Sequence, residues 1–185
     1  MWAVVGLGNP GRRYAETRHN VGFLFVKRLA EDWGARISKP RFLAKAGEVR
    51  RNGERVVLAL PQTFMNESGQ SVQALRKGLP VEPANIVVVF DDVDIPLGRI
   101  RIRPEGGPGT HRGLASIVGA LGTTAFPRIR VGIGPTPEGA DIVRFVLTPF
   151  RKDEREALDG CLGRAGEALD LILEGRIAKA MNDYN

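Results

Sequence analysis

Apolar and polar positions fall into blocks whose periods separate strands from helices. Trp2 to Val5 is a short apolar run closed by Gly6, the pattern of an opening strand. Leu7 to Asn20 is a polar loop containing Gly and Pro. Phe23, Val26, Leu29, Ala30 and Trp33 then recur at helical spacing, with Gly34 as the stop. Phe42 to Val49 and Val56 to Leu60 flank Asn52-Gly53, a pair suited to the left-handed backbone of a tight hairpin turn. A second helix is expected from about Asn66, whose amide could cap it, through Val72 and Leu75 to Gly78.

Ile86 to Phe90 is an unbroken β-branched and aromatic run, as a strand covered on both faces requires, and it ends at Asp91-Asp92-Val93-Asp94. Arg99 to Arg103 alternates basic and apolar residues like an edge strand. Gly106 to Gly113 is a Gly-rich loop leading to a helix from Leu114 to Leu121. Arg128 to Ile133 is another alternating strand. Leu158, Leu162, Ala165, Leu169 and Ile172 mark a long amphipathic helix. There is no internal repeat, linker or low-complexity segment. Residues 1–185 therefore predict one α/β domain, with a twisted mixed β-sheet flanked by helices.

Composition narrows the class. A chain of 185 residues that is 43% apolar can bury a sizeable core and is not a disordered tail. No apolar run approaches the ~18 residues that span a bilayer, and Met1 to Gly11 lacks the basic and apolar regions of a signal peptide. The single cysteine, Cys161, has no partner within the chain. These features point to a reducing cytoplasm. A net charge of +6, carried mostly by Arg, suits either a polyanionic partner or plain solubility.

Four segments carry candidate chemistry. Gly6-Leu7-Gly8-Asn9-Pro10-Gly11 fits the dinucleotide fingerprint in spacing alone. No helix opens within it, and the acids about 20 residues on, Glu31 and Asp32, lie in a helix. Its glycines are better read as a tight loop that lets a ligand approach the backbone. Histidine is scarce: only His19 and His111 are present, so an imidazole base must be one of them. His19 lies in a loop beyond the carboxyl end of a strand, where ligands of open α/β sheets gather. His111 reads as structural, or as a support behind the reacting groups. In Asp91-Asp92-Val93-Asp94, capping and weak Mg²⁺ binding compete with a carboxylate that orients a histidine. Pro61 to Gly69 offers Phe64-Met65 as a core plug or a base-stacking platform, beside the Asn66 amide.

Taken in order, these stretches resemble the bacterial peptidyl-tRNA hydrolase family. Tyr14 and Thr17-Arg18-His19-Asn20-Val21-Gly22-Phe23 belong to the set, as do Asp91 to Pro96, Gly106 to Gly109 and Arg128 to Gly134. The resemblance implies a mixed-sheet monomer with no metal and no organic cofactor. It implies hydrolysis of the ester joining a peptide, or an N-blocked aminoacyl group, to tRNA. That reaction recycles tRNA from peptidyl-tRNA released by stalled ribosomes. By the same resemblance His19 is the base that activates water, Asp91 orients it, and Asn9 senses the blocked amino group. Asn66 holds the peptide carbonyl and the water, while Tyr14, Phe64 and Met65 wall the terminal adenosine and last peptide residue. Arg103 and Arg130 face tRNA phosphates. One position departs: the family usually reads Gly-Gly-His-Asn-Gly where this chain has Gly109-Thr110-His111-Arg112-Gly113. The acceptor-end contact thus falls to Arg112, which is expected to turn toward the mouth of the site and meet a phosphate or the carboxylates beside Asp92.

Overall fold

A computed structural model describes residues 1–185. Seven strands form one sheet: β1 (Trp2–Gly6), β2 (Lys39–Arg41), β3 (Ala44–Arg51), β4 (Glu54–Pro61), β5 (Ile86–Pro96), β6 (Ile100–Arg103) and β7 (Arg128–Gly134), in the order β2-β3-β4-β1-β5-β7-β6. The pairs β4–β1, β1–β5 and β5–β7 are parallel; β2–β3, β3–β4 and β6–β7 are antiparallel. The sheet is therefore mixed, as the hairpin predicted. Asn52 and Gly53 both take positive φ, 49° and 80°, at the β3–β4 turn.

Six helices cover the sheet: α1 (Val21–Asp32), α2 (Ser68–Gly78), α3 (Arg112–Leu121), α4 (Ile142–Val146), α5 (Arg155–Leu173) and α6 (Ile177–Tyr184). One core joins Val4, Val87, Val89, Ile129 and Val131 to α1, α5 and α6. The other joins Ala3, Val5, Val57, Val88 and Phe90 to α2 and α3. Alternate residues of β1 and β5 enter opposite cores, which is why both strands are apolar throughout. No helix is long and apolar enough to cross a membrane.

Three expectations are corrected. The strand expected to stop at Phe90 runs on to Pro96, because β7 keeps pairing with it through Asp92 and rejoins at Pro96 after a register shift. Asn66 does not cap α2; it lies inside a 3-10 turn, Met65–Glu67, and the helix begins at Ser68. Gly6 and Gly8 do not hold the loop open for a ligand. A Cβ on Gly6 would strike the Gly22 carbonyl, and one on Gly8 would lie 2.7 Å from the Phe23 ring. These glycines let α1 close onto the end of β1, where Leu7 N donates to Val89 O at 2.9 Å and Phe23 N to Leu7 O at 3.2 Å.

Candidate active site

Topology creates the crevice. The chain leaving β1 passes through α1 toward β4, whereas the chain leaving β5 goes on to β6 and β7. The direction of winding reverses between β1 and β5, the place where open α/β sheets bind ligands. A cleft of about 710 Å³ opens there, at the carboxyl edge of the sheet. Asn9, Tyr14, His19, Phe64, Met65, Asn66, Asp91, Arg103, Arg112 and Arg130 all line it, so every site residue expected from sequence reaches one cleft.

At its floor lies Asp91, only 3% exposed, near the inner part of the carboxyl end of β5. Its carboxylate accepts from two imidazoles. His19 Nδ1 is 2.9 Å from Oδ1 and 3.0 Å from Oδ2, and His111 Nε2 is 3.1 Å from Oδ1. The His111 tautomer follows from its other nitrogen, since Nδ1 accepts from Leu114 N at 3.1 Å and caps α3. Nε2 must then carry the proton that it donates to Asp91. Burial by itself pushes the Asp91 carboxyl up, but His111 and then His19 outweigh it and hold the group well below the usual carboxylate range. With Nδ1 committed to Asp91, Nε2 is the His19 nitrogen left for chemistry. His19, Asp91 and His111 also lie close enough together to be considered as metal ligands. The protonated Nε2 of His111 has no lone pair to give, so the cluster fits a hydrogen-bonded pair of imidazoles better than a cation site.

Above this floor the polar groups are amides. Asn9 N donates to Asn20 Oδ1 at 2.8 Å, and Asn20 Nδ2 returns a bond to Asn9 O at 2.9 Å. Asn9 Oδ1 accepts from Met65 N at 2.8 Å. The protein thus uses the oxygen of the Asn9 side chain and leaves its NH₂ as the free donor. Asn66 is exposed and makes no side-chain hydrogen bond. Met65 is buried beneath it, while Phe64 stands 53% exposed and Tyr14 is half-buried under the Arg13 guanidinium.

The three cations are held differently. Arg103 and Arg112 are exposed and carry no ion pair. Arg130 is not free: its Nε donates to Asp92 Oδ2 at 2.6 Å. That pairing also takes the carboxylate that Arg112 was expected to meet. Three contributors escaped sequence reasoning. Asn20 is one; Arg128 is another, buried and donating to the carbonyls of Thr124 and Gly106, the latter at the root of the Gly-rich loop. The third is α4 and the residue after it, where Ile142, Val143 and Leu147 form an apolar wall. Only the strand phase of Arg128 was available as a signal, and Arg130 shares it.

A carboxylate-anchored imidazole facing a cleft at the winding reversal of an α/β sheet is an arrangement suited to hydrolysis. Comparison with known proteins narrows this class. The sequence model of the peptidyl-tRNA hydrolase family matches residues 3–185. A peptidyl-tRNA hydrolase of Chloroflexus aurantiacus is 50% identical over 186 residues, covering 100% of this chain and 99% of its own. Another, from Alkaliphilus metalliredigens, is 45% identical over 185 residues and covers 100% of both. The crystal structure of peptidyl-tRNA hydrolase from Acinetobacter baumannii aligns with a TM-score of 0.93 at 37% identity, over 100% of this chain and 96% of that one. The chain belongs to the peptidyl-tRNA hydrolase family.

Proposed function

We propose that the protein is a cytoplasmic, monomeric esterase that cleaves a peptide or N-blocked aminoacyl group from tRNA, returning tRNA stranded as peptidyl-tRNA by stalled ribosomes. The observation that carries this reading is the His19–Asp91 pair in the cleft, with Nδ1 held at 2.9 Å and the second ring nitrogen without a hydrogen-bond partner in the protein. His19 Nε2 takes a proton from water as the water attacks the ester carbonyl. Asp91 stabilises the imidazolium that forms, and His111 keeps the carboxylate in place. The imidazolium then returns the proton to the leaving ribose oxygen. An ester needs less help at its leaving group than an amide does. One general base, worth ~10²–10⁴-fold, with neutral amide donors at the oxyanion, is then sufficient. The reaction is metal-independent and uses no organic cofactor.

Asn9 supplies the discrimination. Only its NH₂ is free, so it suits the carbonyl of a peptide or blocking group and opposes a free ammonium. Asn66 donates to the peptide carbonyl and holds the attacking water. Tyr14, Phe64 and Met65 wall the terminal adenosine and the last residue of the peptide. Arg103 and Arg112 meet phosphates directly, and Arg130 exchanges Asp92 for a phosphate. The test is incubation with N-acetyl-aminoacyl-tRNA and with unblocked aminoacyl-tRNA, with and without a chelator. Release of the blocked amino acid only, unaffected by the chelator, is the expected result. Equal release from both would refute the role given to Asn9, and release from neither would refute the activity.

A further inference from the structure

We infer that Arg18, clamped by Glu154, is a positioning residue that fixes the apolar α4 wall of the cleft relative to His19. The inference rests on the hydrolytic reading above and adds to it a residue outside the reacting groups. It begins from an imbalance in α4. This helix has only five residues, yet Ile142 and Val143 on it and Leu147 just after it are 54%, 56% and 39% exposed toward the cleft. One turn of helix does not hold itself together in water, so something else must set where this wall stands.

What sets it is the segment just before His19. Thr17 bridges to Pro149, and Arg18 N donates to Thr148 O at 3.0 Å. The Arg18 side chain then reaches past α4. Its Nε donates to Thr148 Oγ1 at 3.3 Å, and its Nη2 to both oxygens of Glu154, at 2.7 and 3.0 Å. The guanidinium lies 4.6 Å from the centre of the Phe145 ring and 5.0 Å from that of Phe150. Phe145 sits in the last turn of α4 and Phe150 lies in the segment that leaves it, so one planar cation holds the C-terminal end of the wall and the chain that follows. The next residue is His19, in the same 3-10 turn, Arg18–Asn20.

Stability alone accounts poorly for a cation here. The Arg18 side chain is 5% exposed, and its Nη1 is buried with no hydrogen-bond partner. A buried ion pair is weak support for a fold, and apolar side chains of similar volume often serve as well. What a bidentate guanidinium supplies beyond an apolar filler is a fixed direction and distance. Loosening it lets α4 and the His19 turn move independently, and misplacement by about 1 Å is enough to cost ~10²-fold in rate.

The experiment measures Arg18→Lys and Glu154→Gln beside the wild type. Each is combined with Val143→Ala to complete a double-mutant cycle. The readouts are kcat and KM on an N-acetyl-aminoacyl-tRNA, affinity for tRNA, the thermal midpoint, and the NMR resonance of the His19 Nδ1 proton without tRNA. Well below each midpoint, kcat is expected to fall at least about tenfold, with KM and tRNA affinity within about twofold of wild type. The His19 resonance should shift or broaden, and each combined variant should lose less than the product of its single losses. Should one substitution prevent folding, Glu154→Asp, which keeps the charge on a shorter arm, provides the same readouts with a smaller loss. A kcat within about twofold of wild type in folded variants would overturn the inference, as would losses that multiply strictly with Val143→Ala. An unchanged His19 resonance would overturn it as well. An inactive wild type would instead sink the esterase reading and leave the resonance test standing.

Discussion

Asp91→Asn isolates what the buried carboxylate does. The substitution keeps the shape, removes one charge and replaces one acceptor with a donor. Two N–H groups now address Asp91, from His19 Nδ1 and His111 Nε2. His111 has no freedom to adapt, because Leu114 N fixes its Nδ1 as an acceptor. The new carbonyl oxygen therefore goes to His111, and the new NH₂ faces His19 Nδ1. That nitrogen must become an acceptor, so the proton of a neutral His19 moves to Nε2, where the lone pair for water is needed. The lost charge adds to this. Unit charges about 4 Å apart interact by about 4 kcal/mol at an effective dielectric of about 20. If half to all of the imidazolium charge has developed in the transition state, about 2–4 kcal/mol is lost, or ~30–10³-fold in kcat. His19→Ala, which removes the proposed base, should cost at least ~10³-fold.

The assay is single-turnover hydrolysis of saturating N-acetyl-aminoacyl-tRNA, with tRNA affinity measured by competition. Affinity should stay within about twofold, since no phosphate contact changes. The tautomer argument makes a sharper demand. In Asp91→Asn/His111→Leu the rival donor is gone, the amide can turn its oxygen to His19, and activity should rise up to about tenfold over Asp91→Asn alone. This should happen although losing the α3 cap costs about 1 kcal/mol of stability. A double variant slower than Asp91→Asn would refute the tautomer account, and a single-variant loss below about tenfold would refute the electrostatic one.

Three further outcomes follow from the same geometry. The Asp91 pKa is depressed in the folded state, so its stabilising contribution is complete above the unfolded carboxylate value of about 4 and fades as pH falls through the folded value; urea midpoints between pH 7 and pH 3 should therefore fall more steeply for wild type than for Asp91→Asn, and parallel curves would contradict this. A Cβ at Gly113 would lie 2.5 Å from Met65 Sδ and 3.1 Å from His111 Cε1, so Gly113→Ala should destabilise by about 1–3 kcal/mol and lower kcat by displacing His111; unchanged kcat would show that His111 has no influence on the reaction. Arg103→Gln and Arg112→Gln should each weaken tRNA binding and reduce the slope of log affinity against log salt by about 1, because neither cation has a partner within the protein; an unchanged slope would place that residue outside the interface.

The fold was legible wherever a local rule and the tertiary setting agree. Ile86 to Phe90 reads as a doubly covered strand because both faces of β5 are apolar surroundings, and Asn52-Gly53 reads as a hairpin because few other pairs accept its backbone. The site was legible as a set of residue types, and they do converge on one cleft. What local pattern could not carry was partnership across the chain. Gly6 and Gly8 look like a ligand loop until Gly22 and Phe23 are seen against them. Arg128 and Arg130 share a strand phase, yet one is buried among carbonyls and the other sits half-exposed on Asp92. The five-residue α4 is too short for a period to register, and Arg18 gives no local sign that its partner is Glu154.

These cross-chain partnerships form a nearly closed circuit through His19 and Asp91 at the floor of the cleft. Met65 N holds Asn9 Oδ1, Asn9 and Asn20 hold each other, and Asn20 adjoins His19 in one 3-10 turn. His19 is bound to Asp91, Asp91 to His111, and His111 to Leu114 N at the start of α3. Gly113, one residue before Leu114, packs back against Met65. Each polar group thus has its direction fixed by a neighbour that is itself fixed, so little reorientation remains to be done when charge develops on the substrate. The same closure means that these residues act as a unit. Removing any one of them loosens the others, and the losses from single substitutions should sum to more than the losses from combining them.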